Sequence, residues 1–205
     1  MQRRHVIDTC QLLNKARTFK YTAAQVVTLE QAAEHCREKA VARLQLFDWL
    51  LFNVLIGNGD NHLKNISFGV DSGGIHIAPA YDLLSTCAYD TRAFAHENAH
   101  WPQSPLGITL GTATQFAQVR RSHLIESARL LGIAASTAQR SIDRMLKNIQ
   151  LQADQLIAEI QRANIPHPPE GPSSERPAAA VLAAETRLID VIRHIVINDM
   201  VKQLT

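Results

Sequence analysis

From Val41 to Leu55 apolar residues recur at every third or fourth position, at Val41, Leu44, Phe47, Leu51, Val54 and Leu55. Leu46, Trp49 and Leu50 widen that stripe until most of the helix circumference is apolar, so other elements have to cover it on nearly all sides. The rest of the chain is therefore expected to fold around this helix. The run Leu44 to Ile56 carries Asp48 and Asn53 and is too short to cross a bilayer, which makes it a buried helix and not a membrane span. Gly57 follows, and a residue without a Cβ suits a left-handed C-terminal cap.

With 205 residues, 46% hydrophobic and 20% charged, the chain is long enough to close one sizeable core around that helix. A net charge of +2 gives no electrostatic footprint for nucleic acid or an anionic membrane, so neither is predicted as a direct partner. The three cysteines, Cys10, Cys36 and Cys87, are odd in number and far apart, which disfavours a disulfide framework and a zinc site. The N-terminal Met1-Gln-Arg-Arg-His leads into mixed polar sequence and not a secretory h-region. A reducing cytoplasm is the predicted location.

Val6, Ile7, Cys10, Leu12 and Leu13 have roughly helical spacing and predict a short first helix over residues 3–13. A cationic loop, Asn14 to Tyr21, precedes a second helix for which Thr28 and Gln31 have capping-box spacing. After the central helix, Asn65 to Val70 alternates, Asp71-Ser-Gly-Gly supplies turn chemistry, and Ile75 to Ala78 alternates again, a small β-hairpin. Residues 83–118 show little sustained period and are expected to be irregular. Helices are predicted from Arg120 to Leu131 and from a Ser136 or Thr137 cap to Gln161, the second with Ile142, Met145, Leu146, Ile149, Leu156, Ile157 and Ile160 on one side. The prolines of residues 166–177 exclude a helix and define a linker. Residues 178–205 form an amphipathic helix with Leu182, Ile189, Ile192, Val196 and Met200 in register, a face to be buried on the domain, on a twin or on another chain.

Chemistry concentrates in Gly57-Asn-Gly-Asp-Asn-His-Leu-Lys-Asn65 and in Ala80-Tyr-Asp-Leu83 beyond the hairpin. Phosphoryl transfer needs a group that orients the attacking hydroxyl and oxygen ligands for magnesium. Asp60 fits the first role. Asn65 and Asp82 fit the second, with Asp82 bridging metal and nucleotide phosphates, while His62 braces the loop and Lys64 neutralises a phosphate. Asn, Gly and Asp are also ordinary turn residues, so the reading depends on the combination. A calcium loop is disfavoured because its spacing and closing glutamate are missing. His96, Glu97 and His100 invite a metal reading, but their spacing is loose. Ser85 and Thr86 either line the site or cap the turn after Asp82. His76 is read as a surface residue and Trp49 as core.

The run Ile56 to Ser67 followed by Ala78-Pro-Ala-Tyr-Asp-Leu-Leu-Ser-Thr86 resembles the C-terminal domain of HipA-like serine/threonine kinases of bacterial toxin–antitoxin modules. Arg4-His5 with Asp8-Thr-Cys-Gln11 is similar to the start of that lobe. The resemblance implies a mainly α kinase-type C-lobe with a small hairpin over residues 1–165, ATP and Mg2+ as cofactors, and a protein substrate. It also implies an antitoxin protein or a separate N-lobe as partner; the amphipathic face of the C-terminal helix is a separate route to oligomerisation. The shorter pattern Asp60-x-His62-x-x-Asn65 also occurs in aminoglycoside phosphotransferases and phosphoinositide kinases.

Before Gly57 there is no glycine-rich lid, and Lys15, Lys20 and Lys39 are not on a predicted strand. The expectation is a C-lobe truncated or split from its N-lobe. Two other readings stay open: a non-catalytic interaction module and a small-molecule phosphotransferase.

Overall fold

The computed structural model describes residues 5–163 and 179–205. The proposed linker at 166–177, Arg4 of the family-like start and the first residue of the tail lie outside the described residues. The chain opens with β1 (His5–Asp8) and a single turn, α1 (Thr9–Leu12), in place of the helix predicted over residues 3–13. Val6 is 51% exposed, so the apolar spacing there marks no buried helical face. Instead the backbone pairs with a distant strand. Asp8 then caps α1: its Oδ1 accepts the Gln11 N–H at 2.8 Å, and Gln11 Oε1 accepts the Asp8 N–H at 2.9 Å.

The next helix, α2 (Val26–Glu34), begins before Thr28, which is buried inside it, so the Thr28–Gln31 capping box does not form. An isolated bridge between Gln25 and Thr109 holds the chain extended up to the helix start. The central helix is α3 (Lys39–Leu55), with Leu46, Phe47, Leu50, Leu51, Val54 and Leu55 buried. Val41 and Leu44, at the N-terminal end of the predicted stripe, are exposed, because α2 covers a different face there: Ala42 is buried and Arg43 pairs with Glu30 and Glu34 of α2. Gly57 takes φ +65° and ends the helix, as expected.

The predicted hairpin forms as β2 (Ser67–Asp71) and β3 (Gly74–Ile77), in register Phe68 to Ile77 and Asp71 to Gly74. It is not isolated. β1 pairs antiparallel along β2, His5 opposite Val70 and Asp8 opposite Ser67, giving a three-stranded sheet in the order β1-β2-β3.

The stretch 83–118 is more ordered than its sequence period suggests. It contains α4 (Arg92–Ala95) and a second antiparallel pair, β4 (Pro105–Leu110) with β5 (Ala113–Gln115). Ile108 and Leu110 are buried and Thr109 is exposed, the alternation of a strand with one covered face. Two long helices, α5 (Arg121–Leu130) and α6 (Ala135–Ala163), then pack on α3, the second starting one residue before the proposed Ser136 cap. Arg144 Nη2 of α6 meets Asp48 Oδ2 of α3 at 2.8 Å, beside Ser141 on the same carboxylate. The α6 stripe is fully buried only in its first half: Ile142, Leu146 and Ile149 are buried, whereas Ile157 and Ile160 are half-buried and Leu156 is 56% exposed.

The C-terminal segment is α7 (Ala179–Val191), a wide-turned π segment Ile192–Ile197, and α8 (Asn198–Leu204). Its apolar face docks within the chain: Ile197, Met200 and Leu204 join the core built on α3, while Val191 and Val196 pack with Ala88 and Trp101. Polar anchors fix the register. The Arg193 guanidinium forks onto Asp154 at 2.6 and 2.8 Å, Trp101 Nε1 donates to Asp199 Oδ2 at 3.0 Å, and Gln203 Nε2 donates to the carbonyls of Phe116 and Val119.

Among the described residues no helix is long and apolar enough to cross a membrane. All three cysteines are buried free thiols. Burial pushes each thiol up, Cys87 from 9.0 to about 11. A thiol raised this way supports the fold below its ordinary value, and that support is lost as pH rises from about 9 through about 11. Iodoacetamide at pH 8 is therefore expected to alkylate Cys87 at least about a hundredfold more slowly in the native chain than in the urea-unfolded one. Equal rates by mass spectrometry would show that this pocket opens freely.

Candidate active site

The loop after α3 is pinned from both sides by one amide. Asn58 Nδ2 donates to Asn53 Oδ1 at 2.7 Å and to the Asp82 carbonyl at 3.3 Å, and Asn58 Oδ1 accepts the Asp60 N–H at 3.1 Å. The backbones of the two candidate acids are thus held within reach of a single buried side chain. On the opposite flank the Gly59 N–H donates to Thr86 Oγ1 at 2.8 Å, so Thr86 braces the loop. Gly107 of β4 lies against the Asn61 backbone and side chain, where a Cβ would collide with both.

Asp60 projects into solvent, and one of its oxygens, Oδ1, accepts the Tyr21 hydroxyl at 2.6 Å. His62 is buried. Its N–H donates to Asn65 Oδ1 at 2.9 Å, its Nε2 lies 3.2 Å from Lys20 Nζ, and its ring meets that of Tyr21 edge-on at 5.0 Å. Lys64 is half-exposed and sits 3.8 Å from Asp8 Oδ2, while the Tyr81 hydroxyl binds the Lys64 carbonyl and lies 2.9 Å from Ser67 Oγ.

Asn65 and Asp82 touch directly, Asn65 Nδ2 donating to Asp82 Oδ2. Asp82 sits at φ 57°, in the left-handed region that Asp tolerates better than most residues. With Oδ2 engaged, Asp82 Oδ1 has no partner among the described residues. Asp82 Oδ1 is thus a free hard oxygen of the kind magnesium takes, with water and phosphates completing the shell, whereas Asn65 turns its Nδ2 to Asp82 and its Oδ1 to the His62 N–H and would add an oxygen only through the second lone pair of Oδ1.

A cleft of about 450 Å³ opens beside Asn65, between α3 and the hairpin, walled by Leu46, Trp49, Phe52, Ile77 and Leu83. Trp49 is thus only partly core: it packs on the central cluster and faces this cleft. His76 is exposed, as expected. No group of three metal-binding side chains occurs among the described residues, and His100 instead pairs with Asp90 at 3.3 Å.

The HipA-like C-terminal domain family matches residues 1–153. The chain belongs to this family. Among HipA-like relatives, the serine/threonine-protein kinase toxin HipA of Shewanella oneidensis is 34% identical over 102 residues, covering 43% of this chain and 24% of that protein. The Y4mE protein of Sinorhizobium fredii is 39% identical over 93 residues, 43% of this chain and 22% of that one. The alignments thus span about a quarter of these relatives' length. The structure of Shewanella oneidensis HipA with HipB and operator DNA matches with a TM-score of 0.66 at 24% identity, over 98% of this chain and 46% of that chain. The fold is therefore that of the HipA-type lobe, and the chain is a HipA-like domain related to a serine/threonine kinase toxin.

Sequence reasoning missed Lys20, Tyr21 and Asn58. Asn58 reads as one more turn residue inside Gly-Asn-Gly-Asp. Lys20 and Tyr21 lie in a loop without period, and only the fold brings them onto Asp60 and His62.

Proposed function

We propose that this chain is the C-terminal catalytic lobe of a HipA-like kinase, which phosphorylates serine or threonine of a protein substrate using ATP and Mg2+. The observation that carries the reading is the contact of Asn65 with Asp82, held beside Asp60 through Asn58. Asp60 orients the attacking hydroxyl and accepts its proton on a carboxylate oxygen. Asn65 and Asp82 would hold magnesium, which when bound neutralises the phosphates. His62 keeps the loop in shape, and Lys64 supplies positive charge at the rim.

The phosphate lid and its lysine belong, in this reading, to an N-lobe. Phe19, Tyr81, Leu83 and Leu84 are 52%, 43%, 38% and 51% exposed around the site, consistent with a surface that such a lobe covers. An antitoxin-like protein is a further proposed partner, since the matched structure contains HipB. A cytoplasmic location is consistent with the free buried thiols.

The test is calorimetric titration with magnesium-ATP together with γ-phosphate transfer to seryl and threonyl peptides, by the chain alone and with a β-rich N-lobe supplied in trans. Transfer that requires magnesium and rises when the lobe is added is the expected result. Neither binding nor transfer in any combination would leave an interaction module as the surviving reading.

A further inference from the structure

We propose that Lys20 and Tyr21 form a clamp on the catalytic loop, in which Tyr21 is a positioning residue that orients the Asp60 carboxylate. The inference rests on the reading of Asp60 as the group that takes the substrate proton. Adjacent residues grip two different functional side chains: the Tyr21 hydroxyl donates to Asp60 Oδ1 at 2.6 Å, and Lys20 Nζ lies 3.2 Å from His62 Nε2. Lysine has only donors, so Nε2 is the acceptor. The backbone adds a third tie, because the Leu63 N–H donates to the Lys20 carbonyl at 3.2 Å. The two gripping residues also support each other, the Lys20 ammonium lying 4.5 Å from the centre of the Tyr21 ring.

The clamp is itself anchored. The Ala24 N–H donates to the Tyr21 carbonyl at 2.9 Å, and Gln25 bridges Thr109, which ties this loop to the second hairpin.

A phenol bonded to the base carboxylate allows two roles. It either stands where the substrate hydroxyl must come, blocking the site, or it fixes one carboxylate oxygen so that the other faces the substrate. The geometry favours the second. The phenol engages only Oδ1, Asp60 remains exposed, and Oδ2 has no partner among the described residues. A blocking phenol would also need no grip on His62, which sits on the buried side of the loop.

The hydrogen bond to Asp60 holds the Tyr21 phenol above its ordinary value of 10.0. The neutral, donating form therefore persists up to that ordinary value, and the clamp is lost as pH rises through the raised one, when a phenolate would face a carboxylate.

Two measurements test the clamp. In the chain labelled with 13C-tyrosine, which has three tyrosines, the Tyr21 titration is expected to move down toward the ordinary phenol value in Asp60→Ala. An unmoved titration would mean that the bond does not exist in solution.

In the transfer assay with the N-lobe present, Tyr21→Phe keeps the ring and loses only the donor. A kcat lower by on the order of ten- to a hundredfold is expected, with KM for ATP unchanged, the effect of one hydrogen bond to a charged group. Lys20→Met should lower kcat and Lys20→Gln, which keeps a donor, should restore part of it. A Tyr21→Phe kcat that is unchanged or raised while Asp60→Asn loses transfer would overturn the clamp alone. Wild-type protein without transfer would overturn the reading of Asp60 and the clamp with it.

Discussion

Deletion of residues 179–205 is expected to abolish a cooperative thermal transition near that of the full chain and to expose dye-binding apolar surface. The deleted segment contains Val191, Val196, Ile197, Met200 and Leu204, all at most 6% exposed. Each such side chain contributes about 1.5–3 kcal/mol when buried, and a domain retains only about 5–15 kcal/mol in total. Their joint loss is therefore comparable with the whole stability. It also uncovers the start of the loop that carries Asp60: Val196 packs so closely on Gly57 that a Cβ there would lie 2.6 Å from Val196 Cγ1.

The ion pair of the tail is secondary. Arg193 holds Asp154 below the usual carboxylate range, so the pair adds stability above that range and loses it as pH falls through the lowered value. Its aspartate side chain is 49% exposed, which keeps the contribution small. Circular dichroism melting with a hydrophobic dye checks the prediction, and sedimentation reports whether the exposed face drives association. A truncated chain that melts and sediments as the full chain does would mean that the tail is an appendage.

What was legible in the sequence was local. The apolar face of α3, the glycine that ends it, the Asp60 loop and the turn of the first hairpin are each written within a few residues, and a helix period or a turn signal suffices to read them. The pairing of His5–Asp8 with β2 was not legible, because apolar residues at roughly helical spacing also suit an edge strand, and the partner that decides lies far along the chain. The bridge from Gln25 to Thr109 displaced the start of α2 in the same way. For the tail, amphipathic spacing gave the buried face but not the surface that covers it, since Trp101, Phe116 and Asp154 come from separate stretches of the chain. The site divides along the same line. Asp60, His62, Asn65 and Asp82 stand out as candidates by residue type and spacing, whereas Lys20 and Tyr21 meet them only through a tertiary approach.

Substituting the two acids is expected to separate two functions of the proposed site. Asp60→Asn keeps an oxygen that can accept the Tyr21 hydroxyl, so the loop should hold its shape while the proton acceptor is lost. Transfer should fall by about 10²–10⁴, the usual contribution of a positioned acid or base, with magnesium-ATP affinity unchanged. Asp82 calls for a different choice of variant. At φ 57° an alanine would add backbone strain, and it would leave the buried Asn65 amide without the acceptor it now has. Asp82→Asn avoids the first problem, because asparagine tolerates the left-handed region. It removes the charge that would hold the metal, so both magnesium-ATP affinity and transfer should drop, transfer by on the order of a thousandfold. Calorimetry with magnesium-ATP, transfer in the presence of the N-lobe and a melting curve for each variant make the comparison. If Asp82→Asn binds magnesium-ATP as the wild type does, Asp82 is not the metal-holding residue. If Asp60→Asn keeps full transfer, the proton is taken elsewhere.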